Sequence, residues 1–331
     1  MVSGLSAPEM TASYVNIQRE AAPVNTLTTT PDRVATAIRV DDISVSFPTG
    51  RRGCRTVLEN ISLDIEEGEF VVLLGETGCG KSTLLRLLLG QDRPTSGNIS
   101  VAGNPVQKVD ARSSYVPQKY SLFPDRTVLE NLTMGPETSK YHILGRLLPG
   151  FRSFRRQVRE EALRQLSHMG LQASDAAKYP HQLSGGMQQR VAIAQALMMK
   201  SRVLLMDEAF SALDPATRAN LQRLLRSVWS ETRPTVVFVT HNTAEALFLG
   251  TRVIVLARQT REDHCGSRVV LDMKLPASGM NLRNNGQEFL DLVEHVERFS
   301  RGDHHHTSAT VDDSDNLPET LNAFPLDGKT L

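Results

Sequence analysis

The sequence predicts an α/β protein whose core is a mainly parallel β-sheet. Three short apolar runs, at residues 70–74, 203–206 and 236–239, carry this prediction. Continuous apolar runs of this length are typical of strands that are buried on both faces, as parallel strands are. Helical patterns separate the runs, for example at residues 221–229. Buried strands that alternate with helices indicate a parallel sheet covered by helices.

Two segments that precede the first apolar run have a different pattern. Residues 37–47 and 56–65 alternate between apolar and polar side chains, which is typical of strands with one solvated face. Glu67 and Gly68 then form a predicted tight turn into the run at 70–74. We therefore expect an antiparallel β layer beside the parallel sheet core.

The composition excludes several classes of protein. The chain of 331 residues has 37 basic and 37 acidic residues, and this balance argues against a dedicated nucleic-acid binder. No run approaches the roughly 18 apolar residues that a transmembrane helix needs. The N-terminus lacks the apolar core of a signal peptide, and Cys54, Cys79 and Cys265 form no metal-binding pattern. We expect a reduced cytoplasmic protein.

The two ends of the chain differ from the middle. Residues 1–35 are rich in Thr, Ala, Ser and Pro and have no periodic apolar face. Residues 301–331 contain two basic residues against six acidic ones. Neither segment can bury enough apolar surface to offset the entropy lost on ordering. We therefore predict a disordered N-terminal segment, a disordered acidic tail and one folded domain over residues 36–300.

A glycine-rich loop follows the first apolar run and precedes a helix at residues 84–89. The loop satisfies the pattern G-x-x-x-x-G-K-[ST], in which backbone N–H groups close around phosphate oxygens at a helix N-terminus. We expect Lys81 to reach the β- and γ-phosphates of a nucleotide, and the Ser82 hydroxyl to ligate Mg²⁺. Cys79 is either a small residue that the tight loop tolerates or a redox-sensitive thiol at a helix N-terminus. The predicted nucleotide-binding residues are Gly75, Glu76, Thr77, Gly78, Cys79, Gly80, Lys81, Ser82 and Thr83.

Two acids, Asp207 and Glu208, follow the apolar run at residues 203–206. Ligands bind outside the carboxyl ends of parallel strands, so we expect both acids beside the phosphate loop. Asp207 is suited to hold Mg²⁺, and Glu208 can polarise a water for attack on the γ-phosphate. His241 follows the third run, and beside the same site it can sense or stabilise the γ-phosphate.

A second helix N-terminus that can bind an anion is predicted at residues 183–190, which read LSGGMQQR. Ser184 is a good N-cap, and Gly185 and Gly186 leave backbone N–H groups open to an anion. Two such sites in one chain can serve two nucleotides, or one nucleotide held between two chains.

This ordered set of motifs resembles the ATP-binding cassette (ABC) ATPases, the nucleotide-binding subunits of ABC transporters. The resemblance implies a P-loop NTPase of ABC type, with a helical sub-domain at about residues 119–200. It rests on GETGCGKS at 75–82, Gln118, LSGGMQQR at 183–190, VLLMDE at 203–208, SALD at 211–214 and His241.

The resemblance also implies a head-to-tail dimer, formed by two copies of the chain or with a similar ATPase. In such a dimer the phosphate loop of one chain and the signature of the other sandwich each ATP. The signature residues that act on the partner's nucleotide are Ser184, Gly185, Gly186 and Gln188, and Asp214 communicates across the dimer.

Three further roles follow from the same resemblance. Gln118 contacts Mg²⁺ and the attacking water. The predicted catalytic residues are therefore Gln118, Glu208 and His241. The predicted Mg²⁺ ligands are Ser82, Gln118 and Asp207. Phe47 matches the aromatic that stacks on adenine, and its alternative is a core aromatic at a strand end.

The chain departs from the family pattern in two places. Gln195 stands where the family usually carries Arg, and residues 136–157 look longer than usual. The arginines of this stretch and its helix either form a solvated helix face or contact a membrane subunit or lipid head groups. They are Arg146, Arg152, Arg155, Arg156, Arg159 and Arg164.

A single cassette without a predicted membrane span resembles the ATPases of bacterial importers, which act with separate transmembrane permease subunits. Residues 252–256, 269–276 and 286–299 resemble the nitrate, sulfonate and taurine importer ATPases in particular. That resemblance implies a peripheral position on the cytoplasmic face of the inner membrane and a periplasmic solute-binding protein as a further partner. An exporter-type ABC ATPase and a soluble non-transport ABC ATPase are the alternatives.

The loop at residues 119–124 carries Tyr120, Leu122 and Phe123 on a short connection. Leaving such large apolar side chains in water costs about 1.5–3 kcal/mol each. We expect them either to fold onto the helical sub-domain or to line a partly exposed groove for a short helix of the membrane subunit.

Overall fold

The computed structural model describes residues 35–49, 53–118, 121–140, 149–258, 266–275 and 286–300. The predicted disordered segments lie outside these residues, except for Ala35. Tyr120, Arg146 and Cys265 also lie outside them.

Ten strands of the described residues form one mixed sheet. They are β1 (Thr36–Thr49), β2 (Gly53–Glu66), β3 (Phe70–Leu74), β4 (Ser96–Val101), β5 (Asn104–Pro105), β6 (Ser113–Val116), β7 (Val203–Asp207), β8 (Thr235–Thr240), β9 (Arg252–Arg258) and β10 (Ser267–Lys274). Their order across the sheet is β5-β4-β1-β2-β10-β9-β3-β8-β7-β6.

The helices run between and beside these strands. They are α1 (Lys81–Leu89), α2 (Val128–Lys140), α3 (Pro149–His168), α4 (Gly185–Met198), α5 (Pro215–Thr232), α6 (Thr243–Leu249) and α7 (Gly286–Ser300). None of the helices in the described part of the chain combines the length and the apolar character needed to cross a membrane.

The parallel core of the sheet consists of β9, β3, β8, β7 and β6. Every side chain of β3 and of β8 is buried. Phe70, Val72 and Leu74 of β3 face one hydrophobic core, and Val71 and Leu73 face a second core on the other side of the sheet. This double burial explains the continuous apolar runs, and it confirms the predicted α/β class.

The antiparallel strands lie at one side of the same sheet. β1 pairs with both β2 and β4, and β5 extends β4. β10 joins them to the core, because it pairs antiparallel with β9 and, through Ser267 and Leu58, parallel with β2. The predicted antiparallel β layer is therefore present and continuous with the parallel strands.

Helices α2, α3 and α4 pack against one another, between β6 and β7 in the sequence. Their buried side chains belong to the core that also covers β3 and β8, with Leu132, Ala162 and Ile193 as examples. The boundaries of a helical sub-domain at about 119–200 and of one domain over 36–300 stay predictions.

The basic side chains of α3 are partly paired with acids of the same helices. Arg155 lies 3.4 Å from Glu137, and Arg164 lies 2.6 Å from Glu161. Arg156 makes a third such pair, at 3.5 Å from Glu160. Exposed ion pairs of this kind agree with a solvated helix face, and contact with a membrane subunit or lipid head groups stays the alternative.

Candidate active site

The phosphate loop connects the buried end of β3 to α1. A side chain on Gly75 would meet the carbonyl oxygen of Leu256 at 2.2 Å, so only glycine fits there. Gly80 precedes α1 with a φ of 99°, a left-handed conformation that favours glycine, and no side chain caps the helix. The first N–H groups of α1 thus have no side-chain partner, which is the arrangement that binds phosphate.

Lys81 lies inside the loop that it follows and is only 5% exposed. Its Nζ donates hydrogen bonds to the carbonyl oxygens of Gly75 at 2.6 Å and Glu76 at 2.8 Å. The loop therefore wraps around a buried cation, and the predicted reach of Lys81 to the β- and γ-phosphates stays a prediction.

Cys79 is buried beside this cation, with its Sγ 3.9 Å from Lys81 Nζ. Burial raises the pKa of the Cys79 thiol, although the charge of Lys81 opposes that shift. A redox-sensitive cysteine needs a lowered pKa and access to solvent. The structure favours the alternative of a small side chain that the loop accommodates.

Asp207 ends β7 directly beside the phosphate loop. Its Oδ1 accepts a hydrogen bond from Ser82 Oγ at 3.2 Å, and Tyr115 Oη lies 3.5 Å from its Oδ2. Burial raises the pKa of Asp207, the Ser82 hydrogen bond lowers it, and the charge of Glu208 adds to the rise. A partly buried carboxylate beside a hydroxyl forms an oxygen donor set suited to a hard divalent cation.

Sequence reasoning missed Tyr115. Burial, with the neighbouring Asp207 carboxylate, raises the pKa of this phenol to about 12, so it stays protonated and faces the carboxylate as a donor. Tyr115 belongs to β6, which pairs in parallel with β7. A strand assignment for residues 113–116 would have found it, because β6 ends just before Gln118.

Glu208 follows Asp207 in a left-handed conformation, with a φ of 43°. Its backbone N–H still donates to Val239 O of β8 at 3.0 Å, which fixes this turn of the chain. Gln118 Nε2 donates to Glu208 Oε2 at 3.0 Å, and His241 Nδ1 lies 3.3 Å from Oε1. The three predicted catalytic side chains therefore meet at one carboxylate.

The predicted signature forms the N-terminus of α4. Ser184 Oγ accepts a hydrogen bond from the Met187 N–H at 3.3 Å, which confirms its role as an N-cap. Gln188 Nε2 donates to the carbonyl oxygens of Pro180 at 3.0 Å and Leu183 at 3.2 Å. These contacts stabilise the segment itself, and the action of Ser184 and Gln188 on a partner's nucleotide stays a prediction.

The remaining predicted residues lie apart from the Glu208 carboxylate. Asp214 caps α5 by accepting from the Thr217 N–H at 3.0 Å, and this hydrogen bond lowers the pKa of the Asp214 carboxyl. Phe47 lies near the end of β1 and is 40% exposed, which disagrees with the alternative of a core aromatic. Within the described residues, no hydrogen bond links the signature to the phosphate loop.

Two cavities differ in their relation to this site. A cavity of about 160 Å³ adjoins the phosphate loop and is lined by Glu76, Thr77, Gly78, Cys79, Ala257, Arg258 and Ser300. A cavity of about 580 Å³ lies between the start of β8 and helices α3 and α4, and no predicted site residue lines it. The smaller cavity therefore adjoins the phosphate loop, although Lys81, Asp207 and Glu208 do not line it.

Known proteins are similar to this chain in sequence and in fold. The sequence profile of the ABC transporter family matches residues 58–211. The nitrate import ATP-binding protein NrtD of Synechococcus elongatus is 40% identical over 219 residues, which are 66% of this chain and 76% of the relative. The chain belongs to the ABC transporter family of ATP-binding proteins.

Other members of the family match more of this ABC ATPase. The aliphatic sulfonates import ATP-binding protein SsuB of Bacillus cereus is 33% identical over 265 residues, 80% of this chain and 96% of the relative. Among solved structures, a dimeric ATP-binding cassette in a post-hydrolysis state, bound to ADP and Pi, is 32% identical with a TM-score of 0.59. That likeness covers 72% of this chain and 99% of the other. ATP is thus the substrate of this ABC ATPase.

Proposed function

We propose that this ABC ATPase drives solute import through separate membrane permease subunits, and that the solute belongs to the nitrate, sulfonate and taurine type. The relatives that are named for nitrate import and for aliphatic sulfonates import support the direction and the class of solute. The observation that carries the ATPase part is the Glu208 carboxylate, held by Gln118 and His241 beside the phosphate loop.

Glu208 acts as the general base in this proposal. Its two carboxylate oxygens are held by different side chains, so the carboxylate has one orientation toward an incoming water. Oriented bases of this kind contribute about 10²–10⁴-fold to a reaction. His241 is more exposed than Glu208, and it can contact the γ-phosphate from the same position.

Mg²⁺ fits the oxygen atoms of this site. The Ser82 hydroxyl and the Asp207 carboxylate already lie 3.2 Å apart, and Gln118 can add its amide oxygen. When bound with ATP, the ion neutralises charge on the phosphate oxygens. Asp207 and Ser82 would hold it, while Lys81 supplies a separate positive charge from the loop.

Dimerisation completes the site in this proposal. The related dimeric cassette that binds ADP and Pi supports a head-to-tail pair. The signature at Ser184, Gly185 and Gly186 then meets the γ-phosphate of the partner's ATP, and Asp214 lies between the two sites. The exposed ring of Phe47 is free to stack on adenine.

The Glu208→Gln variant tests the catalytic role. Hydrolysis should fall by about 10²-fold or more, because the amide cannot accept a proton from water. ATP binding should survive, and the variant should accumulate an ATP-bound dimer in size-exclusion chromatography. Glu231→Gln on the exposed side of α5 is the matched control and should leave turnover unchanged.

The direction of transport and the class of solute are tested in cells whose only copy of this chain is the Glu208→Gln variant. Uptake of isotope-labelled nitrate and of a labelled aliphatic sulfonate should be compared with the wild type. Loss of one uptake activity, with efflux unchanged, agrees with import. Normal uptake of both solutes at normal expression would contradict the proposed solute class.

Phe123 is the proposed contact to the permease subunits. Its backbone is fixed at both ends, because Asn131 accepts from the Phe123 N–H at 2.8 Å and donates to the Phe123 carbonyl at 3.2 Å. The ring is nevertheless 40% exposed, whereas Leu122 packs against the core. A rigidly held exposed aromatic is a typical anchor for a partner.

Phe123→Ala should weaken assembly with the permease by roughly 10-fold or more, as expected for an aromatic anchor at an interface. ATPase activity of the isolated chain should stay within about 2-fold of the wild type, because the ring does not reach the site. Val109→Ala, another exposed apolar residue, is the control. Normal transport by Phe123→Ala would contradict this contact, and with it the peripheral attachment of the chain to the inner membrane at this loop.

A periplasmic solute-binding protein completes the proposed import system.

A further inference from the structure

The loop that follows Glu208 is anchored in the core by two apolar side chains. Phe210 is 1% exposed and packs against Phe238, with ring centroids 5.4 Å apart, and Leu213 is also buried. Two backbone hydrogen bonds tighten the loop, from Ser211 N to Glu208 O at 3.0 Å and from Leu213 N to Phe210 O at 3.2 Å. Ser211 thus lies on a rigid turn directly beside the catalytic carboxylate.

Arg218 closes this turn from the first turns of α5. Its Nε donates to Phe210 O at 3.2 Å, and its Nη2 donates to Leu213 O at 3.0 Å and lies 3.4 Å from Ser211 O. One guanidinium therefore binds three backbone carbonyls of a four-residue stretch. No ion pair with an acid is present for it within the described residues, so its charge is satisfied by the loop.

The shape of this loop determines where the Ser211 hydroxyl lies. Ser211 Oγ accepts from Gln118 Nε2 at 3.4 Å, and the same Nε2 donates to Glu208 Oε2 at 3.0 Å. A continuous set of contacts thus runs from Arg218 through Ser211 and Gln118 to Glu208.

The same part of α5 also contacts the signature helix. A side chain on Gly186 would meet Thr217 Cγ2 at 2.5 Å, so the N-terminus of α4 lies against the first turn of α5. Thr217 is the neighbour of Arg218, and its N–H is capped by Asp214. The start of α5 therefore contacts both the catalytic loop and the signature of one chain.

We propose that Arg218 is a positioning residue for ATP hydrolysis, which sets the orientation of Glu208 through Ser211 and Gln118. This inference rests on the proposed function, since it assigns Glu208 the role of base. A guanidinium suits this geometry, because it reaches the three carbonyls from two nitrogens, Nε and Nη2, whereas a lysine has only one nitrogen to offer.

Arg218→Met and Arg218→Lys test the proposal in the full chain. Arg218→Met should lower kcat about 10- to 100-fold, the range expected when a catalytic group is misplaced. The affinity for ATP should change by less than about 2-fold, since the hydrogen bonds of Arg218 go to residues 210–213 and not to the phosphate loop. Arg218→Lys should fall in between. Arg223→Met is the matched control with normal kcat, because Arg223 lies on the same helix and donates to Asn220 rather than to residues 210–213.

A double-mutant cycle with Ser211→Ala separates positioning from a general loss of structure. If Arg218 acts through Ser211, Ser211→Ala alone lowers kcat, and adding Arg218→Met lowers it little further. Multiplied effects, or a Ser211→Ala variant with normal kcat, overturn the proposal. So does a normal kcat of Arg218→Met.

The proposal can still be tested if the Arg218→Met variant does not fold. If thermal melting shows that Arg218→Met is unfolded, Arg218→Lys carries the same cycle, since it keeps the charge and most of the packing. A wild-type chain without ATPase activity, alone or with its permease, would reject the proposed function. An active wild type with an unaffected Arg218 series rejects only this inference.

Discussion

The phosphate loop and the signature segment both place glycine at a helix N-terminus, but the two N-termini are stabilised differently. At α1 no side chain caps the helix, and the loop is held instead by Lys81 inside it. At α4 the Ser184 side chain caps the helix, and Gln188 holds the preceding residues. The first segment leaves its N–H groups open to an anion. The second is stabilised by its own side chains.

This difference indicates which segment binds first. The phosphate loop has a buried cation and open N–H groups within one chain, so it can bind nucleotide without a partner. Ser184 uses its oxygen as the cap, and its hydroxyl hydrogen remains available to a phosphate from another chain. We therefore expect ATP affinity to depend on the phosphate loop and hydrolysis to depend on both segments.

Among the variants that test this comparison, Lys81→Ala should have the largest effect, on ATP affinity. Removing the buried ammonium should weaken ATP binding by about 100-fold or more, because charge-assisted contacts to phosphate are lost and each 1.4 kcal/mol is a factor of ten. Equilibrium binding of a fluorescent ATP analogue measures it. Lys108→Ala, an exposed lysine, is the control. Unchanged affinity in a folded Lys81→Ala chain would remove the phosphate loop from the site.

Mixing two inactive variants tests the division between the segments. Lys81→Ala chains and Ser184→Arg chains should each be inactive, but an equimolar mixture should regain roughly a quarter of wild-type activity. Half of the dimers are then mixed, and each mixed dimer has one site with an intact loop and an intact signature. ATPase activity after subunit exchange is the measurement. No gain over the separate variants, with mixed dimers demonstrated by mass spectrometry, contradicts the head-to-tail pair.

The smallest expected effect is that of Asp207→Asn, which should change the thermal stability of the chain. Burial raises the pKa of Asp207 in the folded chain. The ionised carboxylate therefore lowers the stability of the fold at pH values above that raised pKa. Below the ordinary pKa of an aspartate this destabilisation is absent, because the group is protonated in both the folded and the unfolded chain. The variant should melt roughly 1–3 °C higher than the wild type near pH 7 without nucleotide, and the gain should vanish on acidification. Asp110→Asn is the control of opposite sign, because Arg112 lowers the pKa of Asp110. A lower melting temperature for Asp207→Asn near pH 7 would contradict the burial argument.

The sequence predicts the parts of the fold that have a strong local pattern. Buried strands such as β3 and β8 read as continuous apolar runs because both of their faces are covered. β4 and β6 escaped prediction for a physical reason. β6 is four residues long and starts with two serines, and β4 starts with three exposed residues, so neither has an apolar pattern of its own.

In the candidate site, too, the residues with a strong sequence signal could be predicted and the others could not. The strand-end positions of Glu208 and His241, and for Gln118 the resemblance to the ABC ATPases, predict one shared site, and the structure brings all three side chains together. The contacts of Tyr115 and Arg218 could not be predicted in this way. Tyr115 reaches Asp207 only through the pairing of β6 with β7, and Arg218 binds backbone carbonyls, which leave no mark in side-chain patterns.

The two carbonyl oxygens that bind Lys81 also compete with any anion that enters the loop. An anion must draw the ammonium away from Gly75 and Glu76, and its attraction for the ammonium grows with its charge. The adjacent charges of a di- or triphosphate therefore compete better than a singly charged anion does. Selection by charge density therefore begins before the adenine or the partner chain is involved, in a loop whose cation is already bonded when ATP arrives.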